Sequence, residues 1–272
     1  MLPVATWLGF RTIFQYQYMI KSPSDWDAQK RVWGSLKGLR ASTIDLDRIS
    51  LIRDEPREQL SQPERLETLL LQLGLNDEGL DEFPSHLQPY CGSGLRIWQY
   101  PSQFSKYLAH VSQLGVRSYM ELGIRHGGSF VATVEILSRF IPLNFAVAVD
   151  IIPCPSMADY EIVNSCVEFA CINTQSSDFN SLIDRLRPID LVFIDSHHEE
   201  SQCRREFESV RDAARVIAFH DISNMAFPGI AHFWEELKST ERYRCFEYTQ
   251  QYEGTGPFMG IGLAIRKDGF LP

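Results

Sequence analysis

The chain has 272 residues, of which 44% are hydrophobic and 22% charged, and a net charge of -9. A chain of this size buries about three quarters of its unfolded surface, which excludes intrinsic disorder and a disulfide-stapled scaffold. The acidic balance, with no basic stripe, argues against binding to a nucleic-acid backbone.

Six cysteines are present, none in a C-x-x-C pair. A zinc knuckle is therefore not indicated, and a reducing, cytoplasmic setting is expected. Residues 1–21 are rich in aromatics but lack a basic n-region and a cleavage site. Arg11, Gln15 and Gln17 interrupt them before the ~18 apolar residues of a membrane span. The expectation is a helix packed on the body or on a second subunit, with no membrane partner.

Residues 1–102 read as a helical extension or lid. Ser61, Pro63 and Glu64 predict a helix start with Ser61 as cap. Leu66, Leu69, Leu70 and Leu73 repeat at helical spacing, and Gly74 ends the run. A turn-rich stretch follows over 76–94.

From 103 to 272 strands alternate with helices, which predicts an α/β, doubly wound, Rossmann-like sheet. A helix with Ser102 as candidate cap leads into a strand ending at Gly123. Helix 129–140 and the strand closing at Asp150 follow. Strand 167–175, helix 179–188, strand 189–196, helix 199–214 and strand 215–222 come next. Helix 229–240 precedes a final pair of strands joined only by a loop, so one of that pair runs antiparallel.

Ligands of such sheets bind at the carboxyl ends of the strands, and four strand ends carry polar residues. The first is the turn Glu121–Ser129, whose glycines allow close backbone approach. Its spacing is not the dinucleotide pattern G-x-G-x-x-G. A carboxylate at Glu121 would repel a pyrophosphate and attract an ammonium group. The second is Asp150, about twenty residues beyond Gly128, where nucleotide folds place a ribose-binding carboxylate. The third is Asp195, and the fourth is His220 with Asp221. These could bind a divalent metal, with oxygen ligands favouring Mg²⁺ or Mn²⁺, or serve as acid and base. Asp195 could equally cap the helix that follows. One of the adjacent His197 and His198 is a catalytic candidate. Gln175, Ser176, Ser177 and Asp178 could meet an adenine edge or simply start a helix.

Taken in order, E-L-G-x-x-x-G-G-S, A-V-D, F-I-D-x-x-H, F-H-D-I and P-G-I-x-x-F-W-E-E-L resemble the class I S-adenosylmethionine-dependent methyltransferases. The resemblance is to the branch with small-molecule and sugar O-methyltransferases and cephalosporin-hydroxylase-like proteins, and it covers about residues 95–266. It implies a seven-stranded sheet of order 3-2-1-4-5-7-6 with strand 7 antiparallel. It implies that Glu121, Gly123 and Gly127 hold the methionine part of the cofactor, with Arg125, Gly128 and Ser129 of the same turn. Asp150 and Ile151 would lie at the ribose, and Ser177 and Asp178 near the adenine. Asp195 would border the cofactor, and Asp195, His220 and Asp221 would form the metal site. His198, with Asp195, would be catalytic as general base. S-adenosylmethionine is the implied cofactor, with Mg²⁺ as an optional second. A small-molecule acceptor and a homodimer or higher homo-oligomer are the implied partners.

The chain departs from the pattern at three places. Arg125 replaces a middle glycine, Glu200 stands where an aromatic is common, and His220 stands where some metal-dependent relatives are acidic. Two competing readings keep the fold: a nicotinamide-dependent enzyme, and a non-catalytic cofactor-binding or regulatory subunit. The aromatic N-terminal segment and the loop 250–260, with Gly254, Gly256 and Pro257, read as a lid or a simple hairpin turn.

Overall fold

The computed structural model describes residues 41–78, 83–253 and 255–267. The helix expected over residues 1–21 lies outside them. Seven strands form one sheet: β1 Ser118–Leu122, β2 Phe145–Asp150, β3 Val167–Cys171, β4 Ile189–Ile194, β5 Ala214–His220, β6 Tyr243–Tyr248 and β7 Ile261–Arg266. Their order is 3-2-1-4-5-7-6, as the motif resemblance implied. β2, β1, β4 and β5 pair in parallel and β3 joins β2 in the same sense, whereas β7 is antiparallel to both β5 and β6. The strand order reverses between β1 and β4, so their carboxyl ends flank the crevice in which such sheets bind ligands.

Among the described residues eight α-helices surround the sheet: α1 Ile49–Asp54, α2 Pro63–Leu73, α3 Pro101–Val111, α4 Gly128–Ser138, α5 Pro155–Val163, α6 Ser177–Leu186, α7 Glu200–Val210 and α8 Pro228–Ser239. Successive strand residues point to opposite faces, and this divides the core in two. Tyr119, Ala146, Ala148, Leu191 and Phe193 face α1 to α5, where Ile52, Leu66, Leu70, Phe104 and Phe130 are buried. Met120, Val147, Val192, Ile217 and Phe219 face α6 to α8, against Phe179, Phe207, Phe233 and Trp234. The described part of the N-terminal extension therefore shares one core with the sheet.

Two predicted caps are corrected. Pro63 opens α2, but Gln62 holds the cap position, and the Ser61 hydroxyl donates instead to the Glu58 carbonyl at 2.7 Å. A short 3-10 turn over Gln59–Ser61 has already used that serine. Ser102 is not a cap either, because Pro101 begins α3 one residue earlier. The Ser102 hydroxyl donates to the Gln250 carbonyl, and its N–H donates to the Tyr252 hydroxyl. Helix α5 went unassigned in the sequence. Its apolar residues are not gathered on one face: Met157 and Tyr160 are buried, while Ile162 and Val163 are exposed.

Candidate active site

The turn after β1 is built around Asp150, the last residue of β2. One Asp150 oxygen accepts the N–H groups of Ile124 and Arg125, both at 2.9 Å, and the other accepts that of Ile152 at 2.8 Å. The carboxylate expected at a ribose is thus engaged by three backbone amides. Burial raises the Asp150 pKa, against the pull of those amides.

Gly123 has φ +85°, and a Cβ there would sit 2.2 Å from the Asp195 carbonyl oxygen. A Cβ on Gly128 would sit 1.9 Å from the Leu95 carbonyl oxygen. The close approaches these glycines permit are therefore to protein backbone, from the β4 end and from the N-terminal extension. Gly127, in the left-handed conformation, is the N-cap of α4.

Glu121 does not open onto the rim. It is fully buried, accepting from the hydroxyls of Tyr119 and Ser129. Burial pushes its carboxyl up to about 8, with Asp195 adding in the same direction. Arg125 forms a two-pronged ion pair with Glu78, at 3.0 and 2.7 Å. Glu78 also lies 3.2 Å from His126, whose Nδ1 accepts the Ser42 N–H. Neither Glu78 nor His126 was singled out in the sequence: Glu78 lies in a turn-rich run that reads as solvated loop. Ile151 is half-buried just after β2.

The second constellation joins the ends of β4 and β5. Asp195 Oδ1 lies 2.9 Å from His220 Nδ1 and 3.8 Å from His198 Nε2. His198 Nδ1 hydrogen-bonds Asp221 Oδ2, and Asn224 donates to the other Asp221 oxygen at 2.9 Å. Gln99 donates to Asp195 Oδ2 at 2.7 Å. The His198 ring packs on Phe227, with centroids 4.8 Å apart. His198, and not its neighbour His197, is thus the histidine within this group. Asp195 does not cap α7, which begins at Glu200 with Glu199 at the cap.

The three residues whose donor atoms converge are Asp195, His198 and His220, all within 4.8 Å of one another. This differs from the set Asp195, His220 and Asp221 read from the sequence, because Asp221 stands behind the His198 ring and binds it. Gln99 and Asn224 carried no sequence signal; each is a lone amide that only the fold brings to the rim.

Electrostatics here are mutual. Burial disfavours a charged His220, but Asp195 and Asp221 outweigh it and push the ring up to about 9. His198 is raised for the same reason, against its own burial. Burial would raise Asp221, yet His220 and His198 hold it at about 2.

Other expected residues lie at the edge. Ser176 caps α6, accepting from the Phe179 N–H, and Ser177 and Asp178 are exposed in its first turn. The stretch thus starts a helix and leaves the Ser177 and Asp178 side chains exposed. In the loop after β6, Gln103 donates to the carbonyls of Gln250 and Phe258 and accepts the Gly260 N–H, while Tyr252 donates to Glu67 at 2.7 Å. The described residues of that loop are therefore fastened to α2 and α3.

The sheet order and the glycine turn define the Rossmann-like fold of the class I methyltransferases. Among solved structures, the chain is similar to the O-methyltransferase TomG from Streptomyces achromogenes, involved in tomaymycin synthesis and solved with SAM. The identity is 19%, over 75% of this chain and 98% of that one, with a TM-score of 0.50. It is also similar to the O-methyltransferase from Bacillus cereus in complex with SAH, at 18% identity over 77% and 91% with a TM-score of 0.47. The SAH-bound Podospora anserina methyltransferase PaMTH1 aligns over 91% of this chain and 98% of its own, at 13% identity and a TM-score of 0.45. No family pattern matches the chain, and no curated protein does. Among the described residues no helix is long and apolar enough to cross a membrane.

Proposed function

We propose that the protein is an S-adenosylmethionine-dependent methyltransferase acting on a hydroxyl oxygen of a small molecule. One observation carries this reading. Three polar atoms near the carboxyl ends of the strands are buried without hydrogen-bond partners: Arg125 Nη1 in the Asp150-clamped turn after β1, Gln99 Oε1 on the side chain that donates to Asp195, and His220 Nε2 at the end of β5. Buried polar groups of this kind call for a polar ligand.

S-adenosylmethionine supplies an electrophilic methyl on a sulfonium sulfur. The turn Gly123–Ser129, with Asp150 and Ile151, is the cradle for it, and Ser177 and Asp178 border its far end. The net charge of -9 favours a cation. The protein's remaining tasks are to hold the acceptor oxygen in line and to remove its proton. The group made by Asp195, His198, His220 and Asp221 does the second. It does so either with His198, steadied by Asp221, as the base, or by holding a divalent metal such as Mg²⁺ that lowers the hydroxyl pKa.

Calorimetric titration with S-adenosylmethionine, S-adenosylhomocysteine and NAD tests the cofactor. Release of S-adenosylhomocysteine with a panel of catechols, phenols and sugars tests the reaction. Micromolar binding of both sulfur compounds with turnover supports the proposal. Binding without turnover across the panel favours a non-catalytic cofactor-binding protein, and binding of NAD alone overturns it.

A further inference from the structure

We infer that Asp195, His198 and His220 form a site for a first-row transition-metal dication, bound by two ring nitrogens and one carboxylate in preference to Mg²⁺. Spacing is the first support. Two donors held by one ion at ~2.1 Å lie about 3.0 Å apart at a right angle and about 3.4 Å apart at the tetrahedral angle. The separations from Asp195 Oδ1, 2.9 Å to His220 and 3.8 Å to His198, bracket those values.

The residues behind the donors are the second support. Asp221 takes His198 Nδ1, which leaves Nε2 as the nitrogen facing Asp195. Gln99 holds one Asp195 oxygen and leaves Oδ1 toward both rings, and Asn224 steadies Asp221. A carboxylate behind a ligating imidazole fixes its tautomer and orientation. The third support is His220 itself, which is 7% exposed and whose Nδ1, the nitrogen 2.9 Å from Asp195 Oδ1, makes no hydrogen bond. A buried ring nitrogen in that condition is costly unless something occupies it.

Donor chemistry selects the ion. Mg²⁺ demands near-octahedral oxygen ligation and gives up its waters reluctantly. Imidazole suits Zn²⁺, Co²⁺, Fe²⁺ and Ni²⁺, and two histidines with one carboxylate leave positions open for an incoming oxygen. The inference rests on the proposed methyl transfer only for what that oxygen would be, the acceptor hydroxyl. It makes His198 a ligand and Asp221 a positioning residue.

Chelator-stripped protein is titrated with Co²⁺, Zn²⁺ or Mg²⁺ alone, with neither cofactor nor acceptor present. The expected result is one equivalent of Co²⁺ with visible d–d bands reversed by chelator, and Co²⁺ and Zn²⁺ binding about 100-fold or more tighter than Mg²⁺. His198→Asn and His220→Asn should each lose about tenfold or more in Co²⁺ affinity, and Asp221→Asn about 10–100-fold. His220→Asp should narrow the gap in favour of Mg²⁺. Circular dichroism checks that the variants fold; should they not, the wild-type stoichiometry, bands and metal ranking decide. Mg²⁺ binding as tight as Co²⁺, absence of the bands, or Co²⁺ binding unchanged in both histidine variants overturns the inference. Because no cofactor is present, such a failure leaves the methyltransferase reading intact, and failure to bind S-adenosylmethionine leaves the metal result intact.

Discussion

Asp150, at the end of β2, holds the turn after β1 by accepting the Ile124 and Arg125 amides at one oxygen, each at 2.9 Å. Its other oxygen holds Ile152. The residue is thus a clamp between two strand ends before it is a ligand for anything else. Hydrogen bonds to a charged acceptor contribute about 1.5–3 kcal/mol each. Asp150→Ala removes all three and should lower stability by about 3 kcal/mol or more in urea unfolding and weaken S-adenosylmethionine binding through loss of the turn. A variant as stable as wild type would show that the clamp carries little.

Gly123 lies under the end of β4. An added Cβ would meet the Asp195 carbonyl at 2.2 Å with φ at +85°. Gly123→Ala should cost about 3 kcal/mol or more. Gly256→Ala, where a Cβ meets nothing within 4 Å, should stay within about 0.5 kcal/mol of wild type. Thermal unfolding of the two side by side makes the comparison.

Glu121 gives a pH signature. Its carboxyl titrates near 4.5 in the unfolded chain and at about 8 when buried. The folded state therefore binds the extra proton between those values, and stability falls as pH rises through them. The contribution is complete below pH 4.5 and lost above about 8. Glu121→Gln should flatten the stability curve in this window and gain on the order of a few kcal/mol over wild type at pH 9. Parallel curves for the two proteins across pH 5–9 would refute it.

Gln103 fastens the loop after β6 through three backbone groups, those of Gln250, Phe258 and Gly260. Gln103→Ala leaves all three without that partner. Limited proteolysis should then cut within 249–260 several-fold faster, with a stability loss of about 2 kcal/mol. Unchanged cleavage would indicate that the other contacts, from Tyr252 to Glu67 and from Ser102 to Gln250 and Tyr252, hold the loop without it.

Much of the fold is legible in the sequence, because period-2 and period-3.6 apolar spacing reports directly which face of an element is buried. The strands closing at Gly123, Asp150, Asp195 and Asp221 were readable in this way, as was the stripe Leu66, Leu69, Leu70 and Leu73. The strand order came from the motif resemblance rather than from spacing. Helix starts at Ser61 and Ser102 were misplaced because neighbouring proline residues open those helices instead.

The polar rim residues were nameable for the same reason: charged side chains closing apolar runs stand out. Their partners did not, since a hydrogen bond between residues 96 apart, such as Gln99 to Asp195, leaves no local trace. The sequence by itself determined the α/β alternation and the set of acidic and imidazole groups at the strand ends. Only the tertiary structure decided that Glu121 is buried, that Asp150 clamps a turn and that Asp221 stands behind His198. Those outcomes depend on which strands become neighbours, and long-range pairing is set by the packing of the whole sheet and not by any window of the chain.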